Sequence, residues 1–95
     1  MFVANLIEKR RLVRKFNVIT SEGVFEVIYD GTGIGYEEII VHNQTASRKK
    51  SYLWYVPEFE FYIGELSAKV EVGVSVLLKI NRFNLTISGE NVYSE

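Results

Sequence analysis

From Glu58 onward the chain alternates with period two. Phe59, Phe61 and Ile63 fall on one side, and Glu58, Glu60 and Tyr62 on the other. Side chains on a strand switch faces at every residue, so this pattern demands a strand with one dry face and one wet face. Past Gly64 the alternation resumes, with Leu66, Ala68, Val70, Val72, Val74 and Val76 set against Glu65, Ser67, Lys69, Glu71, Gly73 and Ser75. Two antiparallel strands joined by a tight glycine-containing connection are predicted. Apolar parity continues through Leu78 and Ile80, then shifts to Phe83, Leu85 and Ile87. A one-residue shift turns every side chain to the other face, so Asn81-Arg82 must hold a bulge or a turn. The expected core is Phe59, Phe61, Ile63, Ala68, Val70, Val72, Phe83, Leu85 and Ile87.

The remaining segments follow the same rule. Residues 11 to 20 and 24 to 30 are predicted to pair across Ser21-Glu22-Gly23, with Gly23 in a left-handed position. Val24, Glu26 and Ile28 alternate with Phe25, Val27 and Tyr29. That strand is apolar on both faces, as a central strand would be. Ile40 to Ser47 echoes Thr86 to Tyr93, with Asn43 and Gly89 in register. Both residues tolerate positive φ, so both stretches are predicted to be hairpins, turning near His42-Asn43 and Ser88-Gly89. No stretch carries a convincing helical period. The expectation is an all-β chain, an antiparallel β-sandwich of seven or eight short strands. One domain spans residues 1–95, with residues 1–10 as a ragged N-terminal arm.

Composition narrows the function classes. The 95 residues include no cysteine, which excludes a thiol nucleophile and thiolate metal sites. Net charge is −1, so the overall field gives no support to a nucleic-acid partner. No run approaches the roughly 20 apolar residues that span a bilayer, and Met1 to Ile7 is too short for a signal-peptide core. A cytoplasmic location is expected.

Five features invite a chemical reading. Gly31, Gly33 and Gly35 resemble a phosphate loop, but Tyr36 stands where the dinucleotide fingerprint needs glycine, and a strand follows instead of a helix. A flexible connection between sheets is expected there. His42 is the only histidine, sits at a predicted turn, and has no second imidazole to share a metal. Glu58 and Glu60 share a strand face, with Cα atoms roughly 6.5–7 Å apart. Acid pairs at that reach serve glycoside hydrolysis, yet acids alternating with aromatics are also the ordinary wet face of a sheet. Two basic stretches remain, Glu8 to Lys15 with five cations, and Arg48-Lys49-Lys50 beside Tyr52, Trp54 and Tyr55. The first is expected to be a solvated strand, and the second an edge strand guarded by charge.

Residues 48 to 72 resemble the repeated β-sandwich unit of the Fas apoptotic inhibitory molecule family. The resemblance lies in Arg48-Lys49, the strand from Tyr52 to Val56, Phe61-Tyr62-Ile63-Gly64, and Ala68 and Val70. Phe83, Leu85, Ile87 and Gly89 continue it as an F-x-L-x-I-x-G hairpin, so that residues 16 to 93 are covered by one unit. The resemblance implies a β-sandwich without catalysis that acts through protein contacts. The better-known members carry two such units, and no functional residue transfers.

A non-enzymatic interaction module with a protein partner is therefore expected, with no cofactor, no membrane and no nucleic acid, and homo-oligomerisation left open. The rival is a small binding domain for carbohydrate or single-stranded nucleic acid. Tyr52, Trp54, Tyr62 and Arg48 are the candidate contact residues. Amphipathic aromatics exposed beside charge combine a large contact area with low entropy cost.

Overall fold

The computed structural model describes residues 2–33, 36–50, 58–75, 77 and 79–95. They form nine strands and no helix. Strands β1 (Val3–Arg10), β2 (Val13–Thr20), β3 (Gly23–Asp30), β4 (Tyr36–Val41) and β5 (Gln44–Lys50) make one sheet in that order. Strands β6 (Glu58–Ile63), β7 (Leu66–Val74), β8 (Ile80–Ile87) and β9 (Glu90–Ser94) make the second. Every pairing is antiparallel. The sheets stack as an open sandwich, with β5 against β6 along one seam and β1 against β9 along the other.

All nine residues of the expected core are buried. The other sheet answers them with Phe16, Val18, Val27, Tyr29 and Ile39. Aromatic rings lock the two layers at the centre. Phe83 meets Phe16 in a stacked arrangement at 5.7 Å and Tyr29 edge-on at 5.6 Å, while Tyr29 also meets Phe59 edge-on at 5.8 Å. Such offset and edge geometries suit the ring quadrupoles.

The parity shift resolves into two features. β7 ends at Val74 and β8 begins at Ile80, and their register slips so that Gly73 faces Arg82 while Val74 faces Ile80. Asn81 is the extra residue of a bulge. A Cβ on Gly73 would lie 2.8 Å from Asn81 Oδ1 and 3.1 Å from Arg82 Cβ, so glycine eases the close approach at the bulge.

The echo is deeper than the sequence implied. His42 and Asn43 have φ of 50° and 64°, and Ser88 and Gly89 have 48° and 81°. Positive φ at both central residues matches the right-handed twist of the flanking strands. Each hairpin also slips register beside its turn, leaving Ala46 and Val92 as the extra residues. Those two positions share the offset that aligns Asn43 with Gly89.

Three expectations change. Residues 3–10 are a paired strand along the length of β2, which raises the count to nine, with Arg11 and Leu12 at the turn. The Gly31 loop does not connect the sheets. It joins β3 to β4 within one sheet, where Asp30 faces Glu38 and the Gly31 amide donates to the Leu12 carbonyl at 2.9 Å. Nor is Arg14 solvated. It points inward because its neighbours Phe16 and Val18 share that parity, and it is buried there. The chain crosses between sheets from β5 to β6, through residues 51–57, which lie outside the described residues.

Candidate functional site

The four candidate contact residues do not gather. Tyr52 and Trp54 lie outside the described residues. Tyr62 is 67% exposed on β6 and belongs to the outer face of the four-stranded sheet. Arg48 belongs to the opposite side of the molecule. It pairs with Glu38, whose neighbours Glu37 and Ile39 face inward, so Arg48 stands on the outer face of the five-stranded sheet. Its Nε and Nη2 donate to Glu38 Oε2 at 3.1 and 3.0 Å, and its guanidinium lies 4.6 Å from the Tyr36 ring centroid. The core thickness separates it from Tyr62.

Two outer faces are thus the surfaces on offer. On the five-stranded sheet, register aligns Val3 with Ile19 and Ile19 with Val24. These aliphatics are 43%, 42% and 57% exposed and form one row across three strands. Ile7 is exposed on the same edge strand, and Ile28 and Ile40 are paired and half-buried farther along. The sequence carried one hint of this row, since Val24 and Ile28 are apolar on the parity opposite Phe25 and Val27. The rest is assembled from residues distant in the chain, and no local pattern announces it.

On the four-stranded sheet the outer rows are polar. Glu60, Lys69, Thr86 and Asn91 are successive cross-strand partners, and Tyr62 faces Ser67. Over them lies a cavity of about 780 Å³, lined by Glu60, Tyr62, Ser67, Lys69, Thr86 and Ser88 among others. Lys69 Nζ reaches diagonally to Glu58 Oε1 at 3.5 Å and leaves its direct neighbour Glu60 without an ion pair among the described residues.

Two polar clusters sit between these faces, one buried and one partly buried. Tyr29 donates a hydrogen bond to Glu37 Oε1, and Glu37 Oε2 has no partner among the described residues. Burial, reinforced by the Glu37 carboxylate, pushes the Tyr29 hydroxyl well above its ordinary value. Arg14 binds Glu95 through Nε at 2.6 Å and Nη2 at 3.0 Å, and also donates to the carbonyls of Arg10 and Val13. The Arg14 hydrogen bond, with smaller help from Tyr93 and Lys9, holds the Glu95 carboxyl at about 2. Burial raises Tyr93, and its bond to Glu95 raises it further. Of the basic stretch, Lys9, Arg10, Arg14 and Lys15 are paired with Glu95, Glu8, Glu95 and Glu26. Those cations are engaged within the chain, which weakens any reading of them as a phosphate-binding arm.

His42 sits in its turn with its ring 4.8 Å from that of Phe25. Among the described residues no group of His, Asp or Glu is arranged to hold a metal ion, and no helix is long and apolar enough to cross a membrane. No protein-family model, no curated protein and no solved structure matches the chain.

Proposed function

We propose that this chain is a non-enzymatic interaction module that acts by protein contact, through the outer face of the five-stranded sheet. The observation that carries the reading is the row of Val3, Ile19 and Val24, aligned on three adjacent strands and open to solvent. Contiguous exposed aliphatics on a well-packed sheet mark contact surfaces, because their burial against a partner releases ordered water at no cost in charge desolvation. Several charges on the same face are matched, Lys15 with Glu26 at 3.4 Å and Arg48 with Glu38 at 3.0 Å. The partner this favours is a protein presenting apolar side chains and little net charge, and a second copy of the chain meets that description. The resemblance of residues 16 to 93 to the Fas apoptotic inhibitory molecule unit belongs to the same proposal, since those proteins act through protein contacts.

A photo-crosslinking residue at Val24, compared with one at Ser67 on the opposite sheet, tests the reading in cell extract. The expected result is a discrete protein adduct from position 24 alone, abolished by Ile19→Asp in a variant that keeps its circular dichroism spectrum. An adduct of twice the chain's mass would name the partner as a second copy. Equal labelling from both positions, or an adduct indifferent to Ile19→Asp, would overturn it.

A further inference from the structure

The outer face of the four-stranded sheet suits a different class of ligand. We propose that the cavity over β6, β7 and β8 binds a neutral oligosaccharide, with Tyr62 as the platform on which a sugar ring lies. This inference is independent of the contact row on the other sheet.

Shape comes first. About 780 Å³ gives room for a ligand of several rings, in a hollow that lies open to solvent. The twisted sheet supplies the floor, the Ser88-Gly89 turn stands at one end, and Ala46 of β5 contributes from the other sheet. Chemistry decides among ligands. Tyr62 is the one large hydrophobic side chain exposed there, and a pyranose presents a C–H face of matching size to an aromatic ring. Around it stand three hydroxyls, from Ser67, Thr86 and Ser88, each able to donate and accept. Among the described residues none of the three makes a hydrogen bond within the chain, where Thr20, Thr32 and Ser94 do. Glu60 adds acceptors and Lys69 adds donors. Mixed donors and acceptors around a single aromatic ring complement a ligand made of hydroxyls and ring C–H groups.

Competing ligands fit less well. A lipid or other apolar molecule would meet Phe61 and Ala68 beside Tyr62, but it would also have to strip water from the Glu60 carboxylate and the Lys69 ammonium. A nucleic acid would bring phosphates to a face whose Glu58, Glu60 and Glu71 outnumber Lys69 and Arg82. The two cations are themselves drawn to Glu58 and Glu71 at 3.5 and 3.7 Å. An uncharged chain escapes this repulsion.

The test is a titration of the ¹⁵N-labelled chain with cellotetraose, maltotetraose, mannotetraose and fully N-acetylated chitotetraose, and with a short polyuridylate, followed by amide shifts. With one stacking ring in an open hollow, the expected dissociation constant is on the order of 1 mM. Saturable shifts should appear at Tyr62, Ser67, Thr86 and Ser88 with at least one of the neutral sugars, and none at Val3, Ile19 and Val24. Tyr62→Ala should weaken binding about tenfold, the equivalent of one aromatic contact. Thr86→Val, which keeps shape and removes a hydroxyl, should also weaken it, and both variants should keep the wild-type melting midpoint. Binding of polyuridylate in preference to every sugar, shifts confined elsewhere, or no saturable shift with any of the four sugars would overturn the proposal. Loss of crosslinking at Val24 would leave this site untouched, so the two proposals fail separately.

Discussion

The two outer faces of this sandwich are built by the same period-two rule and end with opposite character. On the five-stranded sheet the outward parity carries Val3, Ile19 and Val24 in one row. On the four-stranded sheet it carries Glu60, Lys69, Thr86 and Asn91 in one row, with Tyr62 as the large exposed hydrophobic. An antiparallel sheet needs only one dry face, so outward aliphatics are not required by folding. The polar face is what a solvated sheet becomes by default, and its one departure is Tyr62. The lesson is that each face should be judged by what deviates from alternation. By that measure the five-stranded sheet deviates along a row and the four-stranded sheet at a point.

The largest effect should come from leaving both faces for the layer between them. Phe61 and Tyr62 are neighbours in sequence, buried and exposed respectively. Phe61→Ala should cost roughly 3–5 kcal/mol, a large part of a small domain's stability. Tyr62→Ala should move stability by no more than about 0.5 kcal/mol. Paired urea melts give both numbers. Equal losses would mean that Tyr62 is packed and that the polar face is not the surface described.

Next come the echoed hairpins, one in each sheet. Gly89 has φ of 81° and open space around its Cβ position, so Gly89→Ala tests backbone strain alone. A left-handed residue with a Cβ costs about 1 kcal/mol or somewhat more. Asn43→Ala, at φ of 64°, should lose less, because asparagine already carries a Cβ and is favoured there only by local hydrogen bonding. Equal costs at the two turns would show that the hairpins are alike in sequence pattern but not in the strain they hold.

The core and the turns were legible because each rests on local chemistry. Alternation placed all nine inward residues, and Asn43 and Gly89 marked their turns. The apolar character of β3 on both faces correctly put it at the centre of its sheet. What escaped was whatever depends on distant partners. Val3, Ile19 and Val24 form a row only through pairing, and Arg14 is buried because a carboxylate 81 residues away meets it. The Gly31 loop misled for the opposite reason. Glycines mark a connection but not where it leads, and this one returns to the neighbouring strand of the same sheet. Arg48 and Tyr62, near in sequence, are parted because the chain changes sheet between them.

A smaller effect separates the two faces directly. Ile19→Thr with Val24→Thr keeps β-branching, and with it strand propensity, while removing aliphatic surface. Stability should change by less than about 1 kcal/mol. Retention on a hydrophobic-interaction column should fall clearly, and more than it does for Tyr62→Ser. If the tyrosine variant shows the greater fall, the aliphatic row is not the dominant apolar surface.

The smallest effect concerns what holds the two faces in one body. Along the seam between β5 and β6, Lys49 Nζ donates to the Glu58 carbonyl at 2.9 Å, a contact indifferent to acid. Along the seam between β1 and β9, Glu95 receives Arg14 and Lys9 from the five-stranded sheet while its amide donates to the Phe83 carbonyl of the other at 2.8 Å. This second clasp is acid-sensitive. The Glu95 carboxyl is held at about 2 against an ordinary value of 4.5, chiefly by the Arg14 hydrogen bond. A depressed carboxyl contributes stability that is complete above the unfolded value and is lost as pH falls through the folded one. The window therefore runs from about 4.5 down to about 2. Other carboxylates titrate there too, so the useful quantity is the difference between wild type and Glu95→Gln. At neutral pH the wild type should melt higher, because the variant leaves the buried Arg14 charge without its counter-charge. As pH falls toward 2 the two melting curves should converge, since protonated Glu95 and glutamine are then alike in charge. A gap that stays constant across that window would assign the bond's contribution to shape and hydrogen bonding, and would leave the two seams equally indifferent to acid.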